Sequence, residues 1–505
     1  MKSMLQGALA LVATAACSAA MAQPMTAVLR LNEKVPLENL AFYAKTQSTP
    51  LTRYYSAADI RKISGPADSA YKGLLSALHN KGLKVVSESP THLWVTVSAD
   101  SSVFENVFNT RITVREDGRR QNDGHVTIPQ DLSLVASVTG LDSTRQSHPH
   151  YHRVPAMAAS MGGISPDTIK KVYGFNPLYT QGLSGAGQHV AVATYSGFNI
   201  DDVKYFYNYL KLKPGPTVDQ VQFNGVPAYD EGSAGETELD AEFIGMIAPG
   251  AQVHVFASAE NSDAGELAMF TAILDDNRAK VVNYSWGGCE KQVEAAHQQE
   301  MDKVFSRAVA QGVNIMVASG DSGSDSCQDG TAAADWPAAH PSVVAVGGTS
   351  LQVSGSKGSE TAWDGSGGGI SGIFNLPEWQ GQIGSAYTKR SYPDVAFNAD
   401  PYTGQAVYVT SSGKASWVVI GGTSMAAPQW SGFLALVNEA RTTKNLGTLG
   451  FLNPIIYGMS AQDRADAFND VTSGSNGAYS AAQGWDAVTG LGSMKANVLL
   501  PKLSN

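Results

Sequence analysis

Beyond residue 164 the chain alternates short, nearly continuous apolar runs with longer helical stretches, and this rhythm restricts its fold more than any other feature. The runs at 189–194, 252–257, 281–285, 313–318 and 343–346 have the length of strands. Helical patterns fill 201–210, 238–247, 265–278, 293–310 and 424–441. Strands apolar on both sides are buried on both faces, and strands separated by helices run parallel. The expected body is therefore α/β, a parallel sheet flanked by helices. Its active site is expected at the carboxyl ends of the strands, where the Gly-rich segments fall.

A chain of 505 residues exceeds one ordinary core, so a boundary is expected ahead of that body. Strands at 27–31, 84–89, 92–98, 111–115 and 125–128, interleaved with helices at 37–46, 69–81 and 102–108, predict a small α+β, ferredoxin-like domain. Residues 143–163 lack periodicity and carry His148, His150 and His152 around Pro149. They read as a linker. The plainer reading is a solvated hinge; the other is a pH-sensitive processing segment, since imidazoles gain charge below about pH 6.5.

Lys2, the apolar stretch 5–16 and Ala20-Met21-Ala22 ahead of Gln23 read as an export signal over residues 1–22. No later run offers about 18 uninterrupted apolar residues, so the expectation is an exported soluble protein, periplasmic or extracellular. Cys17 goes with the signal. Cys289 and Cys327 then remain as an even pair, read as one disulfide or as two buried thiols. Charged residues make up 16% and the net charge is -10, which leaves no broad basic footprint for nucleic acid.

Gly421-Gly422-Thr423-Ser424-Met425-Ala426-Ala427-Pro428 sets a serine where a Gly-rich turn meets an apolar helix. Glycines admit a substrate backbone and a helix start favours negative charge, which suits a nucleophile, although serine is also a common helix cap. Earlier in the chain Glu236 and Asp240 stand four residues apart, so on a helix they share one face closely enough to share a proton. Glu238 and Glu242 have the same spacing. The first pair leads into Phe243, Ile244 and Ile247, a buried direction, and the second toward Gly245 and Met246, so the first is expected at a site.

The serine segment resembles that of the subtilisin-like clan. The Asp and His that a subtilisin needs are missing, however: 194–197 reads Thr-Tyr-Ser-Gly, and none of the ten histidines has a His-Gly-Thr context. With carboxylates in their stead, the chain is similar to the sedolisins, serine-carboxyl peptidases of the pseudomonalisin and kumamolisin type. The resemblance implies a subtilisin-like sheet, an activation prodomain over 23–146, a linker at 147–163 with the maturation cut, and a peptidase domain at 164–505. It implies Ser424 as nucleophile, Glu236 as general base, Asp240 as its orienter and, from Ser319-Gly320-Asp321-Ser322-Gly323, Asp321 in the oxyanion hole.

The same resemblance implies that Ser285, Trp286 and Gly287 pair with the substrate backbone, with a packing role open for Trp286. It implies one Ca2+ held by the side chains of Asp470 and Asp486 and the carbonyls of Val471, Ala482 and Gly484; two Asx turns without metal are the alternative. Thr194 stands where kumamolisin-like members carry a further glutamate. The implied partners are protein or peptide substrates and the chain's own prodomain as intramolecular inhibitor, in a monomer bound to neither nucleic acid nor membrane.

Glutamate titrates near 4.3 and accepts protons in acid where histidine, near 6.5, is already protonated. Asp321 must hold a proton to donate to an oxyanion, so an acid-acting zymogen is expected, failing as pH rises. The rival readings are a peptidase using His189 or His254, an α/β-hydrolase, for which a clean G-x-S-x-G is missing, and an inert binding protein on the same fold.

Overall fold

The structure, a computed structural model, describes residues 24–154, 162–355, 357–383 and 387–505. The export signal expected at 1–22 and the linker residues 155–161 lie outside the described residues. Among the described residues no helix is long and apolar enough to cross a membrane.

In the first domain the strand Met25–Leu31 sends its alternating side chains to two destinations. Ala27, Leu29 and Leu31 enter a core with Tyr71, Leu74, Leu78, Phe104 and Phe108, whereas Val28 enters the core of the body. Its sheet runs Lys84–Glu88, Trp94–Ala99, Met25–Leu31, Val135–Thr139, paired antiparallel, and this is the ferredoxin-like order. The fourth strand is not the expected 125–128, which forms none. Pro129 follows that stretch and has no N–H to extend a ladder. Ile112–Val114 pairs instead with Arg120–Asn122, apart from the main sheet.

The helix Leu37–Thr46 packs on the body helix Ala295–Ala310. Ion pairs ring the junction: Arg30 with Glu300 at 2.8 Å, Lys303 with Glu38 at 2.7 Å, Arg120 with Glu260, and Arg145 with Asp263 and Glu266.

The body sheet runs Thr217–Val221, Gln252–Ala257, His189–Thr194, Val281–Tyr284, Asn314–Ala318, Val344–Ser354, Val395–Asn398, Ser493–Met494, parallel throughout this run, and Phe468–Asn469 and Lys357–Ala362 add to it antiparallel. Two of its helices position the site. The carboxylate helix, Glu231–Ile247, begins well before residue 238, because Asp230 caps it by accepting from the Gly232 N–H while Gly232 and Gly235 mask its first turns from propensity. The serine helix, Thr423–Thr443, is buried for most of its length. These helices pack on each other, and a Cβ on Gly432 would lie 2.8 Å from Ile247 Cβ. Glycine at 432 is what lets them close. Cys289 and Cys327 are joined in a disulfide, tying the strand Trp286–Cys289 to the loop that follows Asp321.

Candidate active site

The first N–H groups of a helix have no partner inside it. At the start of the serine helix, Gly422 takes φ 119° and exposes the N–H of Ser424, which donates to the carbonyl oxygen of His150 at 3.0 Å. A Cβ on Gly422 would lie 2.4 Å from that oxygen and 2.5 Å from Asp321 Oδ2, so only glycine admits both. The Ser424 hydroxyl donates to the Ser285 carbonyl at 3.3 Å.

Glu236 and Asp240 are completely buried on the carboxylate helix. Burial first, and then the neighbouring Asp240, push the Glu236 carboxyl well above its ordinary range, while the Ser424 hydroxyl beside it pulls the other way. Neither Glu236 oxygen has a hydrogen bond as the hydroxyl is turned here. Burial likewise raises Asp240. Its Oδ1 accepts from the Ser285 hydroxyl at 2.7 Å, and that hydroxyl also accepts from Asn283 Nδ2 at 3.0 Å. Two acids this close and this dry share protons rather than ionise together.

Asp321 Oδ1 accepts from the Thr423 N–H at 2.7 Å and hydroxyl at 2.8 Å, which aims the carboxyl at the start of the serine helix. Oδ2 has no hydrogen bond, and His152 Nε2 is 3.5 Å away. Burial pushes this group up to about 6, against the opposing pull of His150 and the Thr423 N–H.

The described linker residues 147–154 are not a solvated hinge. Their main chain crosses the site: Pro149 and His148 pair antiparallel with Trp286 and Gly287, the His150 N–H donates to Ser285 at 3.1 Å, and His152 and Arg153 pair with Gly421 and Ile420. Antiparallel pairing on exposed edge strands is the general way an extended peptide is held. His150 is buried with Nε2 3.4 Å from Asp335 Oδ1.

Residues 230–449 match the subtilase family and residues 12–144 the pro-kumamolisin activation domain. Kumamolisin of Bacillus sp. (strain MN-32) is 36% identical over 73% of this chain and 71% of its own length. Sedolisin of Pseudomonas sp. (strain 101) is 30% identical over 85% and 78%. The chain belongs to the sedolisin family. It is a serine-carboxyl peptidase made as a zymogen with an N-terminal activation domain. The structure of Pseudomonas sedolisin complexed with two molecules of pseudo-iodotyrostatin superposes with a TM-score of 0.61, at 30% identity over 68% of this chain and 98% of that one.

Within this sedolisin frame the sequence-based choice between the two acidic pairs needs a different reason. All four carboxyls are buried, so direction along the helix does not separate them. Their partners do. Glu238 Oε1 accepts from the Asn199 N–H at 2.9 Å and Glu242 Oε2 from the Tyr408 N–H at 3.1 Å, away from the serine. His189 and His254 sit near the amino ends of their strands, where their rings bond each other at 2.8 Å and His254 bonds Asp219 at 2.7 Å, far from strand ends that carry Thr194 and Ser285.

Trp286 has the packing role left open for it, and its main chain is paired as well. Its main chain pairs with the linker, while its indole is buried and donates to the Thr194 hydroxyl at 3.2 Å, which in turn meets Thr237 at 2.8 Å. Thr194 thus fills its place with hydroxyl contacts. Asn283 and Asp335 escaped sequence reasoning, since neither lies in a segment with a local signature; only the sheet and the disulfide-linked loop bring them to the site.

Hydrogen bonds join the segments expected to hold calcium. Asp470 Oδ2 accepts from the Gly484 N–H at 2.9 Å and Asp486 Oδ2 from the Ala482 N–H at 3.1 Å, and these residues line one cavity of about 930 Å³. Val471 is buried alongside. Two carboxylates with neighbouring main-chain carbonyls are a hard-oxygen set, which fits Ca2+.

Proposed function

We propose that the chain is an exported endopeptidase active in acid, cutting peptide bonds through an acyl-enzyme on Ser424 and maturing by cutting its own His150–Tyr151 bond. The observation that carries this reading is the hydrogen bond from the Ser424 N–H to the His150 carbonyl, made while His148–Arg153 lies across the site as an extended peptide.

The chemistry follows from the groups in place. Glu236 takes the proton of the Ser424 hydroxyl as its oxygen bonds to the substrate carbonyl carbon, and Asp240, fixed by Ser285, orients Glu236 and shares its proton. The carbonyl oxygen becomes an oxyanion that accepts from the Ser424 N–H and from protonated Asp321. Glu236 passes its proton to the departing amine, and the C–N bond breaks to leave the acyl-enzyme. Water then attacks, giving its proton to Glu236; that proton returns to Ser424 as the acid product leaves.

The linker continues on the amino side beyond three residues, with Ser147 bonded to Asn261, which supports cutting within chains rather than removal of short pieces from a free amino terminus. Asp470 and Asp486 with the carbonyls of Val471, Ala482 and Gly484 would hold one Ca2+, which when bound braces this loop. The decisive experiment incubates the full chain near pH 4 and sequences the new amino terminus. A body beginning at Tyr151, formed by wild type but not by Ser424→Ala, is the expected result; maturation of purified Ser424→Ala alone would refute the mechanism.

A further inference from the structure

On the reading that Ser424 cuts after His150, we infer that the body carries a remote acidic pocket, formed by Asp263, Glu266 and His297. This pocket receives the guanidinium of a substrate arginine placed as Arg145 is placed relative to His150. The mature enzyme would then recognise the sixth residue on the amino side of the cut as well as those in the cleft.

The path to this pocket is continuous. Past the pairing of His148 with Gly287, the Ser147 N–H donates to Asn261 Oδ1 at 2.9 Å and Asn261 Nδ2 donates back to the Ser147 carbonyl at 2.8 Å. A side-chain amide thus acts as one more rung of the ladder, and being bonded to main chain it serves any peptide. Arg145 comes next but one. Its Nε donates to Asp263, and its Nη2 donates to Glu266 Oε2 at 2.5 Å and lies 3.2 Å from His297 Nε2.

Every wall of the pocket belongs to the body. Asp263 and Glu266 lie in the first turn of the helix Asp263–Asp276, and His297 lies on Ala295–Ala310. Glu266 is fully buried and held from three sides: His297 Nε2 at 2.7 Å, the Tyr284 hydroxyl at 3.2 Å and Trp336 Nε1 at 3.5 Å. Its orientation therefore does not depend on Arg145. Burial would raise this carboxyl, yet Arg145 and then His297 outweigh it and hold Glu266 down to about 2.

Once the activation domain departs, the two carboxylates face one imidazole, and an under-compensated buried carboxylate favours a new cation. A planar fork reaching two carboxylates selects arginine over lysine. Among the described residues, these three groups also lie close enough, within 4.8 Å, to hold a metal ion. The ladder through Ser147 and the guanidinium already seated favour a peptide occupant.

The test uses the full chain activated near pH 4 and two fluorogenic peptides of the sequence Arg-Gln-Ser-His-Pro-His-Tyr-His-Arg, one with norleucine for the first arginine. We expect kcat/KM about tenfold higher for the arginine peptide, carried by KM, since a charge-assisted hydrogen bond remote from the reacting atoms acts on binding. Asp263→Asn and Glu266→Gln should each shrink that ratio to about threefold or less. The ratio is internal to each variant, so loss of folded enzyme cancels. Equal cleavage of both peptides, or a ratio unchanged in both variants, overturns the pocket and leaves the peptidase reading standing. No cleavage of either peptide at its His–Tyr bond overturns both.

Discussion

The N–H of Ser424 donates to the carbonyl oxygen of His150 across 3.0 Å, so the zymogen holds its own chain against the start of the serine helix. Removing the hydroxyl should leave that chain uncut. Ser424→Ala is expected to lower peptide hydrolysis by about ten-thousand-fold or more, and Glu236→Gln by about a hundred- to ten-thousand-fold. Initial rates on one acid-cleaved peptide check both, and a Glu236→Gln enzyme near full activity would remove the proposed base.

Asp321, raised by burial to about 6, keeps its proton below that pH and loses it above. Only the protonated form donates to an oxyanion, so kcat/KM should fall as pH rises through about 6. Asp321→Asn keeps a donor that does not titrate. Its maximum should be lower and its alkaline limb flatter, and an identical alkaline limb in the two proteins would show that another group sets it.

Maturation should depend on His150. Burial lowers its pKa, but Asp335 and then Asp321 outweigh that and hold the docked ring above its ordinary value. A histidine raised on docking adds affinity that is full below its free value of about 6.5 and is lost as pH rises through the docked value. His150→Gln should therefore slow maturation in acid, where the docked imidazolium adds affinity. Gel-resolved maturation across pH reads this; wild-type rates in the Gln variant argue against the imidazole.

Calcium binding should show as stability. An ion that binds only the folded state adds about 2.7 kcal/mol at about 100 times its Kd. Ca2+ should raise the melting temperature relative to EDTA in the wild type and not in Asp470→Ala. Equal melting of the wild type in both conditions would leave the loop as a pair of metal-free turns.

Gly432→Ala tests how the helices set the site. The added Cβ would crowd Ile247 and force the helices apart, costing about 1–3 kcal/mol. Because Glu236 and Ser424 ride on those two helices, kcat should fall more than KM rises. Steady-state kinetics beside thermal melting separates the two effects.

Local order was legible in the chain because its causes are local. The apolar runs at 189–194 and 252–257 are strands with the expected bounds, while Thr217–Val221 and Val395–Asn398 were hidden, the first by its polar positions and the second because its apolar run stops at three residues between Asp394 and Asn398. The first domain's closing strand, Val135–Thr139, was missed because its burial is partial and its partner, Met25–Leu31, is distant in the chain. Glu236 and Asp240 were legible as a pair, since helix geometry is set within a few residues.

By itself the sequence determined the strand and helix rhythm, the four-residue spacing of two acids and a serine at the head of a helix, all consequences of bonds among near neighbours. The tertiary structure alone decided which buried acids meet that serine, that Asn283 and Asp335 join them, that Cys289 meets Cys327, and that a stretch resembling a loose linker lies in the cleft. Those facts depend on which surfaces close against each other, and closure joins residues whose separation in the chain carries no local signal.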